Sequence, residues 1–257
     1  MSVVIIIPAR YASTRFPGKP LSLIRGQDGV ARTLIEQTWR AGMAVAGVDA
    51  VYVATDDDRI AEVCASFGAS VVMTSQECRN GTERCAEALG KIAERPDIVI
   101  NLQGDAPLTP TWFLTDLLEA MKQNTQFEAA TPVLKCNAET LERLLQDRRQ
   151  GRVGGTTVVF DGMNRALYFS KEVLPFGSGR RFHHVGVYAY RPTALAAYLD
   201  WPEGNLERSE GLEQLRFLEN GANMLCVEVH AKGREFWEVN NPEDIPLIEK
   251  MFGVHHA

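Results

Sequence analysis

The chain has 257 residues, 45% of them hydrophobic and 23% charged, with 27 Lys plus Arg against 33 Asp plus Glu. That is the make-up of a soluble globular protein with room for one large core, or a core plus a smaller lobe. A formal charge of −6 excludes a general nucleic-acid binder, no apolar stretch approaches the ~18 residues of a membrane span, and five scattered cysteines without CxxC spacing fit reduced thiols rather than a disulfide framework or a zinc site.

Val3-Val4-Ile5-Ile6-Ile7-Pro8 is a continuous apolar run and reads as a strand over 3–8, buried on both faces. It empties into a loop carrying Arg10, Arg15 and Lys19, with Ser13, Thr14 and Gly18 between them. Ligands of open α/β sheets lie beyond the carboxyl ends of the strands, where the N–H groups of a Gly-containing turn add to side-chain charge. Three cations held there suit a polyanion, and the expected ligand is a nucleoside triphosphate. The start runs directly into this strand with no basic leader region or small-residue cleavage motif, so the expected location is the cytoplasm.

A helical pattern near 31–45, a strand at 51–54, a helix from about 58, a strand at 70–73, a helix from about 82 and a strand at 97–102 follow. This alternation predicts an α/β fold: a Rossmann-like, mostly parallel sheet with helices on both faces. Ala54-Thr55-Asp56-Asp57-Asp58 ends one strand, and its acids read as a cap and dipole partner of the next helix, with no catalytic part. Asn80-Gly81-Thr82-Glu83-Arg84 opens a helix whose N–H groups are donors and whose first turn carries Arg84, although Asn80 or Thr82 serves equally well as a plain cap. Asn101-Leu102-Gln103-Gly104-Asp105-Ala106-Pro107 ends another buried strand. Asp105 there is either a turn residue before Pro107 or a Mg²⁺ ligand, and the cationic loop at the same sheet edge favours the metal. Gln103 is placed to hydrogen-bond a base or a ribose.

After Gly104 the pattern changes. A helix near 112–123 and a strand near 129–133 lead to the Gly-rich break 151–155, then to β-rich segments at 156–160, 166–169 and 184–190, the first two reading as a hairpin. A helix near 210–220, a strand at 225–229 and a helix opening at Pro242-Glu243-Asp244 close the chain. The expectation is a single domain over 1–257, with an inserted antiparallel β subregion at about 151–200 that forms a lid, a dimer surface, or both.

Taken together, these motifs resemble the CMP-Kdo synthetase family, the cytidylyltransferases that activate 3-deoxy-manno-octulosonate (Kdo). The resemblance rests on Ile7 to Arg15 with Pro17-Gly18-Lys19-Pro20, on Ala54-Thr55-Asp56, on Gly81-Thr82-Glu83-Arg84 and on Asn101-Leu102-Gln103-Gly104-Asp105. It continues through Ala166-Leu167-Tyr168-Phe169-Ser170, His184 to Arg191, Leu212-Glu213-Gln214-Leu215-Arg216 and Pro242-Glu243-Asp244, in order over nearly the whole chain. It implies a nucleotide-diphospho-sugar transferase-like fold and transfer of CMP from CTP to the anomeric hydroxyl of a 2-keto sugar acid, Kdo or a close relative, with release of pyrophosphate, for surface polysaccharide biosynthesis. Arg10, Ser13, Arg15 and Lys19 become triphosphate contacts, with Arg10, Lys19 and Asp105 carrying catalysis. Arg84 and Gln103 recognise the cytidine, Asp105 holds Mg²⁺, and His184, Tyr188, Glu213 and Gln214 line the sugar-acid pocket. A homodimer is also expected, because the family commonly forms one and because the hairpin segments carry more apolar surface than the first-half sheet covers.

Three positions depart from the family pattern. Asn240 stands where the family has a second metal-binding Asp, Ala106 where it reads Gly-Asp-Glu, and Thr157 where a Lys is common. Asn240 offers a carbonyl oxygen without charge, which weakens any second metal position. These changes leave the acid itself open: an amino-sugar acid, a sialic-type acid and a phosphonate are alternatives to Kdo. A CTP-binding protein without turnover is a further alternative, set against the presence of Arg10, Lys19 and Asp105.

Overall fold

The computed structural model describes residues 1–13, 16–151, 155–233, 239 and 241–253. The chain divides into two compact units, one made of Met1–Thr115 and Ala231–Ala257, the other of Asp116–His230.

In the first unit, strand β1 (Val3–Ala9) is buried along its whole length, as an apolar run flanked by two neighbours must be. A short 3-10 turn (Lys19–Leu21) and a small antiparallel pair, β2 (Leu23–Arg25) with β3 (Ala31–Thr33), precede helix α1 (Leu34–Met43). Thr33 caps that helix by accepting from the Glu36 N–H. The helical pattern expected from residue 31 thus begins three residues later, because 31–33 are taken by the hairpin. Next come β4 (Ala50–Thr55), α2 (Asp58–Ser66), β5 (Ser70–Met73), α3 (Gly81–Lys91) and β6 (Ile98–Leu102). Asp57 caps α2 and Asn80 caps α3, each through its side-chain oxygen.

Strand order in this unit is β5-β4-β1-β6, every pair parallel. Two successive crossovers step outward from β1 to β4 to β5, and the third returns past all of them to β6. With right-handed crossovers this reversal puts α1 and α2 on one face and α3 on the other. The packing agrees: Gly42 of α1 lies against the Ile5 and Val51 side chains, whereas Gly81 of α3 lies against the Pro8 ring, three residues from Ile5 along β1 and so on the other face. The crevice between the carboxyl ends of β1 and β6 is therefore the topological switch point of the sheet.

Helix α4 (Thr111–Gln123) carries the chain into the second unit, which is built around β7 (Ala129–Lys135). Its helix α5 (Ala138–Arg149) has only Leu144 buried, and that polar surface is why no apolar periodicity announces it. The hairpin β8 (Thr157–Phe160) with β9 (Ala166–Ser170) forms as expected, turned by Asp161, whose Oδ1 accepts from the N–H groups of Met163 and Arg165. The single strand expected over 184–190 is instead two, β10 (Phe182–His184) and β11 (Val187–Tyr190), both antiparallel to β7. The break falls at Val185-Gly186, where the Thr131 hydroxyl of β7 lies within hydrogen-bond distance of the carbonyls of Val185 and Val187. Short helices α6 (Pro192–Ala197), α7 (Asn205–Glu210) and α8 (Leu215–Glu219) follow, so the helix expected near 210–220 is split by a turn at Gly211. Strand β12 (Met224–Val229) then pairs parallel with β7.

Back in the first unit, α9 (Asp244–Met251) closes the chain. Ile248 of α9 packs with Val239, Ile24 and Leu34 in one apolar cluster. Burying Val239 there contributes on the order of 2 kcal/mol and docks the C-terminal segment beside the β6 end. All five cysteines are free thiols, and burial pushes Cys64 and Cys78 up to about 12. Among the described residues no helix is long and apolar enough to cross a membrane.

Candidate active site

A cleft of about 210 Å³, open to solvent on one side, lies at the switch point of the first unit. Pro8, Ala9 and Arg10 from the end of β1 line it, as do Gln103, Gly104 and Asp105 from the end of β6. Any Cβ at Gly104 would sit 2.8 Å from the Pro8 carbonyl oxygen, so only glycine lets these two strand ends close to this distance.

The cationic loop is folded back on itself. Gly18 adopts φ 70°, a left-handed conformation that favours glycine, and its N–H donates to the Tyr11 carbonyl at 2.9 Å. The Arg59 guanidinium covers the Tyr11 ring at 3.4 Å. Lys19 leaves this turn with its Nζ 2.5 Å from Asp105 Oδ2 and 2.9 Å from the Val239 carbonyl. The Val239 N–H in turn donates to the Asp105 carbonyl at 2.9 Å. Arg10 and Ser13 complete this end of the cleft. Arg15 and Asn240 lie outside the described residues, as does Thr14. Ala106 is fully buried, its N–H donating to the Gln103 carbonyl in the turn that aims Asp105.

At the other end the cleft is walled by Cys78, Asn80, Gly81, Arg84 and Gln103. Asn80 does act as the cap of α3, yet it also lines the cleft, so the two readings of this segment hold together. Gln103 Nε2 donates to Asn101 Oδ1 at 3.2 Å. Arg84 is 2% exposed and is gripped by Thr74 Oγ1 at 2.5 Å and by Asp56 Oδ2 at 3.3 Å. Asp56 was expected to do no more than help the next helix begin. Asp57 does that, while Asp56 turns to Arg84, a partner 28 residues away that no local signal reveals.

Of the residues expected around the sugar acid, all four belong to the second unit. His184 is buried between the rings of Phe169 and Tyr188, at 5.0 and 5.5 Å, and Tyr188 stacks on Tyr190 at 5.8 Å. Burial, then the neighbouring His183, pushes the His184 imidazole down to about 3, so it is neutral at physiological pH. His184 Nε2 and Gln214 Nε2 are both buried without a hydrogen-bond partner among the described residues. Such orphans cost about 1–3 kcal/mol each unless something satisfies them, which is what a polar ligand does. Glu213 is half-buried and its carbonyl accepts from the Tyr198 hydroxyl at 3.0 Å. Thr157 is buried, and its hydroxyl donates to the Glu172 carbonyl at 2.6 Å and accepts from the Leu174 N–H at 3.0 Å, so it fastens the backbone after β9.

Beside Gln214, Arg216 and Glu207 form a buried two-point ion pair, both contacts at 2.7 Å, which the sequence motif around Glu213 did not announce. Neither residue stands out in the sequence, because Glu207 lies among Glu203, Arg208 and Glu210, and Arg216 lies close to Glu213 and Glu219, in a stretch where charges are common.

Comparison with known proteins places this geometry. Residues 4–229 match the family model for cytidylyltransferases. A 3-deoxy-manno-octulosonate cytidylyltransferase of Maricaulis maris is 44% identical over 97% of this chain and 96% of its own length. An 8-amino-3,8-dideoxy-manno-octulosonate cytidylyltransferase of Shewanella frigidimarina is 36% identical over 99% of this chain and all of its own. Among solved structures, CMP:2-keto-3-deoxy-manno-octonic acid synthetase in complex with CTP superposes with a TM-score of 0.86 and 33% identity, covering 98% of this chain and 99% of that one. With a family model spanning most of its length and relatives this similar from end to end, the chain belongs to the cytidylyltransferase family.

Proposed function

We propose that this protein transfers CMP from CTP to the anomeric hydroxyl of a 2-keto sugar acid, Kdo or a close relative. The observation that carries the reading is the convergence of Arg10, Lys19 and Asp105 on one cleft at the switch point of the parallel sheet. In the reaction the anomeric oxygen attacks the α-phosphorus, a new P–O bond forms, the bond to the β-phosphate bridging oxygen breaks, and pyrophosphate leaves. The hydroxyl proton passes to solvent. Little covalent chemistry falls to the protein, whose part is to hold the reactants in line and to offset charge. Arg10 and Lys19 serve the phosphates, with Ser13 donating a hydroxyl, and Arg84 and Gln103 meet the nucleoside end. His184 and Gln214 offer their unpartnered nitrogens to the sugar acid.

The residues present fit a magnesium ion. Asp105 is part-exposed in the cleft, and among the described residues no three His, Cys, Asp or Glu side chains cluster into a metal cage. One carboxylate plus phosphate oxygens brought by the nucleotide is a donor set that suits Mg²⁺. Asp105 would hold it, and the ion when bound supplies positive charge against the α-phosphate and the pyrophosphate. Free thiols and the need for CTP fit work in the cytoplasm.

The test is pyrophosphate release from purified protein with CTP and a panel of acids: Kdo, its 8-amino-8-deoxy form, a sialic-type acid and a phosphonate. Turnover with CTP and Kdo is expected, with ATP far slower because a small pyrimidine suits the Gln103 and Arg84 end, and UTP slower because the Gln103 amide oxygen can accept from the cytosine amino group, where uracil carries a carbonyl. Equal rates with all nucleotides would sink the base assignment, and silence with every acid would sink the activity. The amino-sugar acid is the second reading, motivated by the Shewanella relative, and preference for that acid over Kdo would establish it.

The oligomer we propose is a homodimer. Leu167 is 55% exposed and Met163 71%, both on or beside the β8–β9 hairpin, and covering them is worth more than leaving them in water. Light scattering at micromolar concentration is expected to give twice the chain mass, and a monomer mass would contradict the proposal.

A further inference from the structure

Arg84 is a cation almost wholly removed from water at the wall of a cleft meant for a polyanion. Its guanidinium is oriented by groups that follow two neighbouring strands. Asp56 comes directly after β4 and Thr74 directly after β5, and the Thr74 N–H donates to the Thr55 carbonyl at 2.8 Å, so the two side chains start side by side. Thr74 Oγ1 holds Nη1 at 2.5 Å, the Ser75 carbonyl lies 3.5 Å from the same nitrogen, and Asp56 Oδ2 lies 3.3 Å from Nη2. Asp56 is not among the residues that line the cleft.

We propose that Asp56 is a positioning residue for nucleotide binding, holding the Arg84 guanidinium in the orientation that meets the nucleoside. The inference rests on the reading of Arg84 as a nucleotide contact. A long arginine loses much rotamer freedom when it is pinned, and a site that has pinned it before the ligand arrives spares the ligand that cost. Among the described residues Asp56 is also the one carboxylate paired with this buried charge.

Two accounts of Asp56 predict opposite signs. If it acted only through its field, its negative charge would repel the triphosphate, and removing it would tighten CTP binding. If it acts by positioning, removing it loosens CTP.

The measurement is the Kd for CTP by calorimetry, alongside KM and kcat from pyrophosphate release and a thermal melt of each variant. Asp56→Asn removes the negative charge 3.3 Å from the buried guanidinium and is expected to raise Kd and KM for CTP by roughly ten- to a hundredfold, with kcat changed less than about threefold. Asp56→Glu keeps the charge but displaces the carboxylate by a methylene, and is expected to raise Kd in the same direction. An unchanged or lower Kd in folded Asp56→Asn or Asp56→Glu overturns the proposal. In an Arg84→Met background Asp56→Asn is expected to add nothing further, since its action passes through Arg84, and an additive loss also overturns it. If Arg84→Met itself leaves the CTP Kd unchanged, it is the reading of Arg84 that fails.

Discussion

Lys19→Ala is expected to lower kcat by about two to three orders of magnitude while the protein stays folded. Lys19 Nζ bridges Asp105 Oδ2 and the Val239 carbonyl, so it is held in place before any substrate arrives. A cation prepositioned in a cleft is worth about 3 kcal/mol of transition-state stabilisation when charge develops on a transferring phosphate, because no reorganisation is needed at that moment. Asp105→Asn is expected to cost a comparable factor by weakening the metal position. The two losses will not add, since each side chain is the other's partner and the single variants already disturb both. Lys19 opens the short 3-10 turn and Asp105 stands in the loop after β6, with side chains 17% and 27% exposed, so the melting temperature is expected to move little. Single-turnover pyrophosphate release measures the rate and circular dichroism the fold. Lys19→Ala within about threefold of the parent rate would remove Lys19 from the machinery.

Glu207→Ala is expected to be the most destabilising single change in the second unit. Arg216 is 1% exposed, and it donates through Nε and Nη2 to both oxygens of Glu207, itself 5% exposed. The guanidinium also lies 4.1 Å over the Tyr198 ring, while the Tyr198 hydroxyl reaches the Glu213 carbonyl. Cutting one member of such a pair strands a buried charge, at a cost of about 3–5 kcal/mol. Against a total stability of only ~5–15 kcal/mol for a typical domain, that lowers the melting temperature by roughly 6–20 °C. Removing both charges together, as Glu207→Leu with Arg216→Met, is expected to restore much of the loss, because no lone charge then remains in the apolar surroundings. Thermal melts of the two single variants and the double variant decide it: equal stability of Glu207→Ala and the parent would mean that water reaches the pair. Gln214 and Glu213 belong to the same turn of chain, so the pair also steadies two residues assigned to the acid pocket.

The parallel half of the first unit was legible in the sequence. Val3 to Ala9, Ile98 to Leu102 and the strands between them are apolar runs bounded by polar turns, and the caps Asp57 and Asn80 act on N–H groups two or three residues away. The cleft residues Arg10, Lys19 and Asp105 were legible for the same reason, since a charged loop directly after a buried strand can only emerge at the strand's end. Elements without a strong local pattern were not: β2 and β3 are three residues each, α5 is polar almost all round, and the carbonyls at the break between β10 and β11 meet a threonine of another strand.

Near neighbours in the chain set where strands end and which cations and carboxylates stand there, because backbone preference and hydrophobic period are local properties. Which charge meets which is settled by the packing of distant segments. Lys19 and Asp105 are 86 residues apart, Lys19 and Val239 are 220 apart, and Asp56 finds Arg84 rather than the helix beside it. Those pairings follow from the order β5-β4-β1-β6 and from the apolar cluster that brings Val239 back onto the first unit. A side chain's partner is chosen by the packing of whole elements, and burial of apolar surface, which has no direction of its own, sets that packing before any single charge can find its counterpart.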